Sequence, residues 1–352
     1  MFEIEMLPAR EGDCLWIRYG KARPPKQILI DGGRAATYKE LKKRLVDLPA
    51  NHRHFELFVI THVDRDHIEG AVSLLEDKKL PITFSDIWFN GFDHLKSAKL
   101  ETFGAVQGER LSMALLKSKA KWNSAWKSKA VAVRKGSLPK ITLTGNLTLT
   151  LLSPDQQKLL DLIPTWVKEC KDAGLIPGTK ARIKDLKGLE HFGGINIDQL
   201  ADAPFAKDTT KPNGSSIAFL AEYDGKRVLL GADAHVDCLL PSIRRLLKRK
   251  KRLSLDAFKI PHHGSEGNLS KELLDVLDCP KYLISTNGSY FKHPRAMAIA
   301  RILKHGGTEK TLYFNYASKY TKLWTKDKWC SDYGYSVVLP NGTENGTLVV
   351  SL

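Results

Sequence analysis

Residues 61–70 read THVDRDHIEG and follow directly on the apolar run Leu57-Phe58-Val59-Ile60. The stretch sets His62, Asp64, Asp66 and His67 within six residues of one another. No single regular element gathers them, because alternation along a strand sends His62, Asp64 and Asp66 to one side and His67 to the other. A strand that ends in a tight turn and continues as a helix does gather all four. The chain is therefore expected to be α/β, with side chains of metal-ligand type at the C-terminal end of a strand, where α/β sheets usually carry function.

The rest of the sequence repeats that arrangement. FEIEMLP, CLWIRYG and QILIDGG read as strands separated by turn residues, the last ending in Asp31-Gly32-Gly33. TYKELKKRLVDL has helical spacing, HFELFVITH reads as a buried strand, IEGAVSLLED as a helix and ITFSDIWFNG as a strand. A basic helical stretch is expected from about Leu95 to Lys129, and KITLTGNLTLTLLSP reads as a hairpin. Residues 155–212 read as a helical and loop insertion without recognisable chemistry. The segment SSIAFLAEYDGKRVLLGADAH then predicts a hairpin turning at Asp224-Gly225, its second strand leading to Asp233 and His235. LDAFKIPHHGSEGN is a further strand, ending at His262 and His263, and a later strand, loop and helix place His293 at the helix start. The chain is expected to be one domain, 1–352, with a C-terminal extension over 306–352 that closes in a hairpin formed by YSVVLPNGTENGTLVVSL.

Composition narrows the class. With 352 residues and 42% hydrophobic content the chain can bury a large core. Its five cysteines are scattered and form no CxxC pair, so neither a disulfide framework nor a zinc-thiolate site is indicated. The N-terminus lacks a basic and apolar leader pattern, and no apolar stretch approaches the roughly 18 residues of a membrane span; a soluble, cytoplasmic protein without a membrane partner is expected. The net charge of +16 attracts polyanions. It concentrates in RRLLKRKKR, from Arg244 to Arg252, and over 117–140, where lysines alternate with Trp122 and Trp126. Aromatic rings between cations suit nucleic acid, and the same pattern equally suits a helix end that buries Leu246 and Leu247, or the two tryptophans.

Three strand ends presenting His and Asp fit a binuclear hydrolytic centre, which needs nitrogen and oxygen ligands for two ions, a bridging carboxylate and an open position for water. His62, Asp64, Asp66 and His67 supply four ligands, Asp233 the bridging candidate, and His262 or His263 a sixth. Asp31 reads as the residue that orients a ligating histidine. Metal-assisted attack of water on phosphorus would follow, with Asp66 or Asp233 orienting the water and His293 protonating the leaving oxygen or binding phosphate. Lys259 and Ser265 are further candidates for phosphate contact.

The order of REGDCLWIRYG, ILIDGG, THVDRDHIEG, LTLLSPD, NGSSIAFLAEYDGKRVLLGADAH, KIPHHGS and LISTNGSYFKHP resembles the metallo-β-lactamase superfamily, and within it the hydrolase domain of the competence DNA-uptake protein ComEC. The resemblance covers most of residues 1–305 outside the insertion. It implies an αββα sandwich, two mixed β-sheets face to face with helices outside and the site along one edge. Residue by residue, His62, Asp66, His67 and Asp233 match the superfamily's ligand positions, and His263 matches the histidine of a Pro-Gly-His-Gly pattern, leaving His262 as a substrate or supporting group. Two departures matter. Asp64 stands where most of the superfamily has histidine, as in the ComEC-like branch, and Ser153-Pro154-Asp155 stands where a further histidine is common, with Asp155 either replacing it or capping a helix. Exchange of imidazole for carboxylate hardens the site and favours Mn²⁺ or Mg²⁺, with Zn²⁺ the third candidate for the two divalent ions. The resulting expectation is a phosphodiester hydrolase, foremost a DNA nuclease working beside partner proteins in bacterial defence or DNA processing. The alternatives are a small-molecule phosphodiesterase or phosphorylcholine-type esterase, and a binding module for nucleic acid or protein whose metal site has decayed.

Overall fold

The computed structural model describes residues 1–96, 106–118, 120–172, 195–342 and 346–352. The N-terminal part forms strands β1 (Phe2–Met6), β2 (Leu15–Tyr19), β3 (Lys26–Ile30), β4 (His54–Phe55), β5 (Leu57–Val59), β6 (Thr83–Phe84) and β7 (Ile87–Trp88). Strands β8 (Lys140–Thr142), β9 (Thr148–Ser153), β10 (Ala218–Tyr223), β11 (Lys226–Leu230), β12 (Leu253–Ser254), β13 (Ala257–Lys259) and β14 (Leu277–Asp278) follow. The last four are β15 (Lys281–Ile284), β16 (Lys310–Phe314), β17 (Tyr335–Val338) and β18 (Leu348–Ser351). They build a six-stranded sheet, β18-β1-β2-β3-β5-β7, and an eight-stranded sheet, β17-β16-β15-β13-β11-β10-β9-β8, with β4-β6 and β12-β14 as two-residue pairs beside them. Both large sheets are mixed: β3-β5-β7 and the run from β11 to β17 are parallel, and the remaining neighbours are antiparallel.

Alternation along the strands explains the layering. Phe2, Ile4 and Met6 of β1, Ile17 and Tyr19 of β2 and Ile28 and Ile30 of β3 enter one core with the inner face of the second sheet. Rings from the two sheets meet there, Phe2 and Tyr19 against Tyr223 and Trp88 against Phe219. Residues one step out of phase, Trp16, Leu29 and Phe58, face the opposite way into a second core under helices α1 (Tyr38–Val46), α2 (Arg65–Glu76), α3 (Phe92–Lys96), α4 (Val106–Ser118) and α5 (Gln156–Asp172). Helices α6 (Ile197–Asp202), α8 (Val236–Leu247), α9 (Lys271–Asp275) and α10 (Ala296–His305) flank the second sheet, and α7 (Lys211–Gly214) is a single turn. In α8 the buried residues Val236, Leu239, Ile243 and Leu247 recur at helical spacing, which seats that helix. The architecture is the αββα sandwich, two mixed sheets flanked by helices.

Several sequence expectations change. The C-terminal stretch is no hairpin: β17 pairs parallel with β16 at the edge of the eight-stranded sheet, whereas β18 pairs antiparallel with β1 at the edge of the other. Each strand covers a different open edge, which satisfies more backbone groups than pairing with each other would. The region read as helical from Leu95 to Lys129 holds α3, α4 and a 3-10 turn at Ser124–Trp126, bounded by residues of positive φ at Asn123, Lys127 and Ser128; residues 97–105 and 119 lie outside the described residues. Its tryptophans are not a stacking platform, because Trp126 packs edge-on to Trp88 in the core and the Trp122 indole donates to the Phe89 carbonyl. The Lys-rich loop of the segment 155–212 lies largely outside the described residues, while its end, around Asp208, reaches the functional cluster described next.

Candidate metal centre

The C-terminal ends of β3, β5, β11, β13 and β15 open on one edge of the sandwich, and the loop between β1 and β2 reaches the same edge. His62, Asp66 and His67 follow β5, the latter two on the first turn of α2. Asp233 follows β11, and His262 and His263 follow β13 in a turn where both have positive φ, 47° and 54°. For non-glycine residues that backbone is strained by about 1–3 kcal/mol each. A hydrogen bond from the His262 amide to the Ala232 carbonyl (2.9 Å) pins the turn to the Asp233 loop.

The hydrogen bonds behind the histidines fix their tautomers. His263 Nδ1 lies 2.9 Å from the Ser285 carbonyl, which can only accept, so Nδ1 carries the proton. His67 Nδ1 donates to Asp31 Oδ2 at 2.8 Å, and Asp31 also accepts from the Thr61 amide and hydroxyl, both at 2.8 Å. The Thr61 hydroxyl, having given its proton to Asp31, accepts from His62 Nδ1 at 3.0 Å. All three rings therefore turn Nε2 into the same buried space. His67 Nε2 and His263 Nε2 stand 3.1 Å apart, and His62 Nε2 is buried without a hydrogen-bond partner. Facing lone pairs repel unless a cation or proton sits with them.

Carboxylates complete the space. Asp233 Oδ2 lies 3.4 Å from His67 Nε2 and 3.8 Å from His62 Nε2, while its Oδ1, 3.7 Å from His263 Nε2, has no hydrogen-bond partner. Asp66 Oδ2 lies 3.6 Å from His263 Nε2. Two buried groups of ligand atoms result, His62-His67-Asp233 and Asp66-His67-His263. They share His67, and Asp233 faces both with its two oxygens. Burial opposes charge on His67, yet Asp233, Asp31 and Asp66 outweigh it and raise its pKa well above the usual range. Burial likewise opposes charge on Asp233, but His67, His263 and His262 hold its pKa far down. Burial raises the Asp66 pKa. The cluster thus favours positive charge at its centre, and imidazole and carboxylate donors with unsatisfied atoms in one buried space fit divalent ions.

The other predicted residues fall around this core. The Asp64 side chain is 38% exposed at the rim, its Oδ2 3.6 Å from His62 Nε2. His262 Nε2 lies 3.8 Å from Asp233, and its Nδ1 contacts Asn268 Oδ1 at 2.9 Å and Asp208 Oδ2 at 3.4 Å. Against burial, Asp233 and Asp208 push the His262 pKa up to about 9. The His293 ring packs between those of Phe291 and the two histidines, with Nδ1 unpartnered. Burial, then His262 and His263, push its pKa well below the usual value. The Ser265 hydroxyl accepts from the Gly267 amide in its own turn. Lys259 departs from expectation: its Nζ is buried and bonded to Asp13 Oδ2 at 2.6 Å, so it holds a carboxylate and does not reach phosphate. Asp155 accepts from the Lys158 amide, as a helix cap does.

Two residues were not anticipated. Asp13 lies close enough to Asp233 and His263 to be counted with them. Its Oδ1 lies 3.5 Å from His263 Nδ1, whose proton goes to the Ser285 carbonyl, and Lys259 occupies its other oxygen. Asp208 joins His262 to Asn213 and Asn268, accepting from their amides at 2.6 and 3.0 Å. Asp13 sits in a motif already singled out, as the acid before Cys14, whereas nothing local in the sequence marks Asp208.

No protein-family model and no curated protein matches the chain. Among solved structures it is similar to the metallo-β-lactamase fold protein YhfI from Bacillus subtilis, at 11% identity over 99% of each chain with a TM-score of 0.42. It is also similar to human tRNase Z, short form, at 11% identity over 99% of this chain and 98% of that one, TM-score 0.42. A third is the Zn²⁺-bound PqqB from Methylobacterium extorquens, at 10% identity over the whole of both chains, TM-score 0.41.

Proposed function

We propose that the protein is a metal-dependent hydrolase of phosphodiester bonds, with DNA as its substrate. The observation that carries this reading is the convergence of His67 Nε2 and His263 Nε2, 3.1 Å apart, beside the buried carboxylates Asp66 and Asp233. His62 and Asp233 would hold one ion, with Asp64 closing in from the rim, and Asp66, His67, His263 and Asp233 the other, the single Nε2 of His67 serving one ion alone. Bound there, divalent ions supply Lewis acidity towards a phosphoryl oxygen and a lowered pKa for water. The chain's own part is positional. Asp31, Thr61 and Ser285 hold the imidazoles in one tautomer and orientation. Asp66 and Asp233 accept hydrogen bonds from water and so orient it. His293 hydrogen-bonds a phosphoryl oxygen, and His262, kept protonated by Asp233 and Asp208, offsets the charge that develops on the departing group. The donor set carries as many carboxylates as imidazoles, which favours Mn²⁺ or Mg²⁺ over Zn²⁺.

The test is cleavage of labelled single- and double-stranded DNA by metal-stripped protein with Mn²⁺, Mg²⁺ or Zn²⁺ restored, beside Asp233→Asn. Cleavage that needs metal and disappears in the variant is expected. DNA left intact under every metal, with hydrolysis of a small phosphodiester retained, would move the substrate to a small molecule.

A further inference from the structure

At the other end of β11 from the metal cluster lies a groove of about 1230 Å³. Arg227, near the start of β11, lines it, whereas Asp233 follows the end of that strand, so about 10 Å of strand and a turn separate the two. One wall is the last turn of α8 and the turn beyond it, which contribute Arg245, Lys248, Arg249, Lys250 and Arg252. The opposite wall is the segment 136–140, ending in Lys140 on the edge strand β8, and Leu220, Glu222 and Arg227 contribute from β10 and β11. Seven cationic side chains thus face a single carboxylate, Glu222, and that carboxylate is taken by Arg227 at 3.2 Å. The other six have no ion pair among the described residues. Arg245 is held in place across the groove, donating to the carbonyls of Arg134 (3.2 Å) and Gly136.

We propose that this groove is a second binding site, separate from the metal centre, for the sugar-phosphate backbone of a nucleic acid. Six unpaired cations on one concave surface repel one another, a destabilisation that a polyanion relieves. Arginines and lysines on two facing walls suit a strand running between them, because guanidinium groups can engage phosphate oxygens bidentately. No aromatic ring lines the groove among the described residues, so binding is through the backbone and indifferent to base sequence. Such a site holds a long substrate on the protein while a distant phosphodiester reaches the metal centre; in that role it rests on the hydrolase reading above.

The two are tested separately. Binding of a fluorescent oligonucleotide to metal-stripped protein is followed by anisotropy at several KCl concentrations, for the parent and for a variant carrying Lys140→Glu, Arg249→Glu and Lys250→Glu, all at exposed positions. The parent is expected to bind with a steep salt dependence and the variant about tenfold or more weakly. Both should hydrolyse bis(p-nitrophenyl) phosphate equally once metal is restored. Absence of binding by the parent, equal binding by the variant, or binding of phosphatidylserine vesicles in place of the oligonucleotide would overturn the proposal. So would parallel loss of small-substrate hydrolysis in the variant, since the groove would then not be separate. If neither protein hydrolyses the small phosphodiester, the hydrolase reading falls, while the anisotropy still decides the groove.

Discussion

The Asp31 carboxylate receives three hydrogen bonds, two from Thr61 and one from His67 Nδ1, and through them sets the direction of two imidazoles. Asp31→Asn would oppose an amide N–H to the His67 N–H or rotate the ring away. Metal affinity, followed by calorimetric titration of metal-stripped protein with Mn²⁺, is expected to fall about 10- to 100-fold; an unchanged affinity would deny Asp31 its orienting role. The Asp13–Lys259 pair makes a different prediction. Both groups are buried, and Lys259 holds the Asp13 pKa far below the usual value despite its burial. Asp13→Asn leaves a buried ammonium without its counter-charge and should cost about 3–5 kcal/mol in urea unfolding, whereas Asp13→Leu with Lys259→Met should recover much of that loss. A single variant as stable as the parent would show that the pair is not held as described. These residues also mark what the sequence could reveal. His62, Asp66, His67, Asp233 and His263 were legible because ligand-type residues at successive strand ends converge in any α/β sheet. Lys259 was misassigned because its place at the end of a strand does not say whether its amine meets solvent or a buried acid. Asp208 was invisible because its function depends on a loop returning from a distant part of the chain to His262.

At the scale of elements, the helix that carries Asp66 and His67 is set against β3 by contact of backbone on backbone. The Gly32 amide donates to the His67 carbonyl at 2.8 Å and the Gly70 amide to the Gly33 carbonyl at 2.9 Å. A Cβ on Gly70 would come within 1.9 Å of the Gly32 carbonyl oxygen. Gly70→Ala must therefore push α2 off the sheet, with an expected loss of about 1–3 kcal/mol in the denaturant transition and a weaker metal response, because the ligands ride on the same helix. Unchanged stability and metal affinity would mean that α2 has freedom here that these distances deny. Elements of this kind were legible from pattern alone: alternation in β1, β2 and β3 separated inner from outer faces, and Asp224-Gly225 marked the β10-β11 turn. The last two strands were not. Asn341-Gly342 has the chemistry of a hairpin turn, but partner choice was settled by the free edges of β1 and β16, which lie in different sheets and which no local signal reports.

The metal cluster joins the two halves of the molecule. His62, Asp66 and His67 belong to the loop and helix that follow β5 of the six-stranded sheet, and Asp233 and His263 to loops of the eight-stranded one. Any ion held by both sets ties the sheets together at the edge where their loops must otherwise keep lone pairs and carboxylates in contact. Binding to the folded state alone stabilises it by RT ln(1 + [L]/Kd), about 2.7 kcal/mol at a hundredfold excess over Kd. For a chain of 352 residues that corresponds to a rise in Tm of about 4 °C. Calorimetric scans of metal-stripped protein with increasing Mn²⁺ or Zn²⁺ are therefore expected to show a saturable rise of that order, reversed by a chelator. Asp233→Asn, which removes the group that faces both sets of ligands, should keep a cooperative transition and lose the response. This scan needs no substrate and no activity, so it separates a working centre from a decayed one. A Tm indifferent to metal would mean that the sheets are held by their packed cores alone and that the cluster balances its charges with protons, in which case the basic groove would be the better guide to what the protein binds.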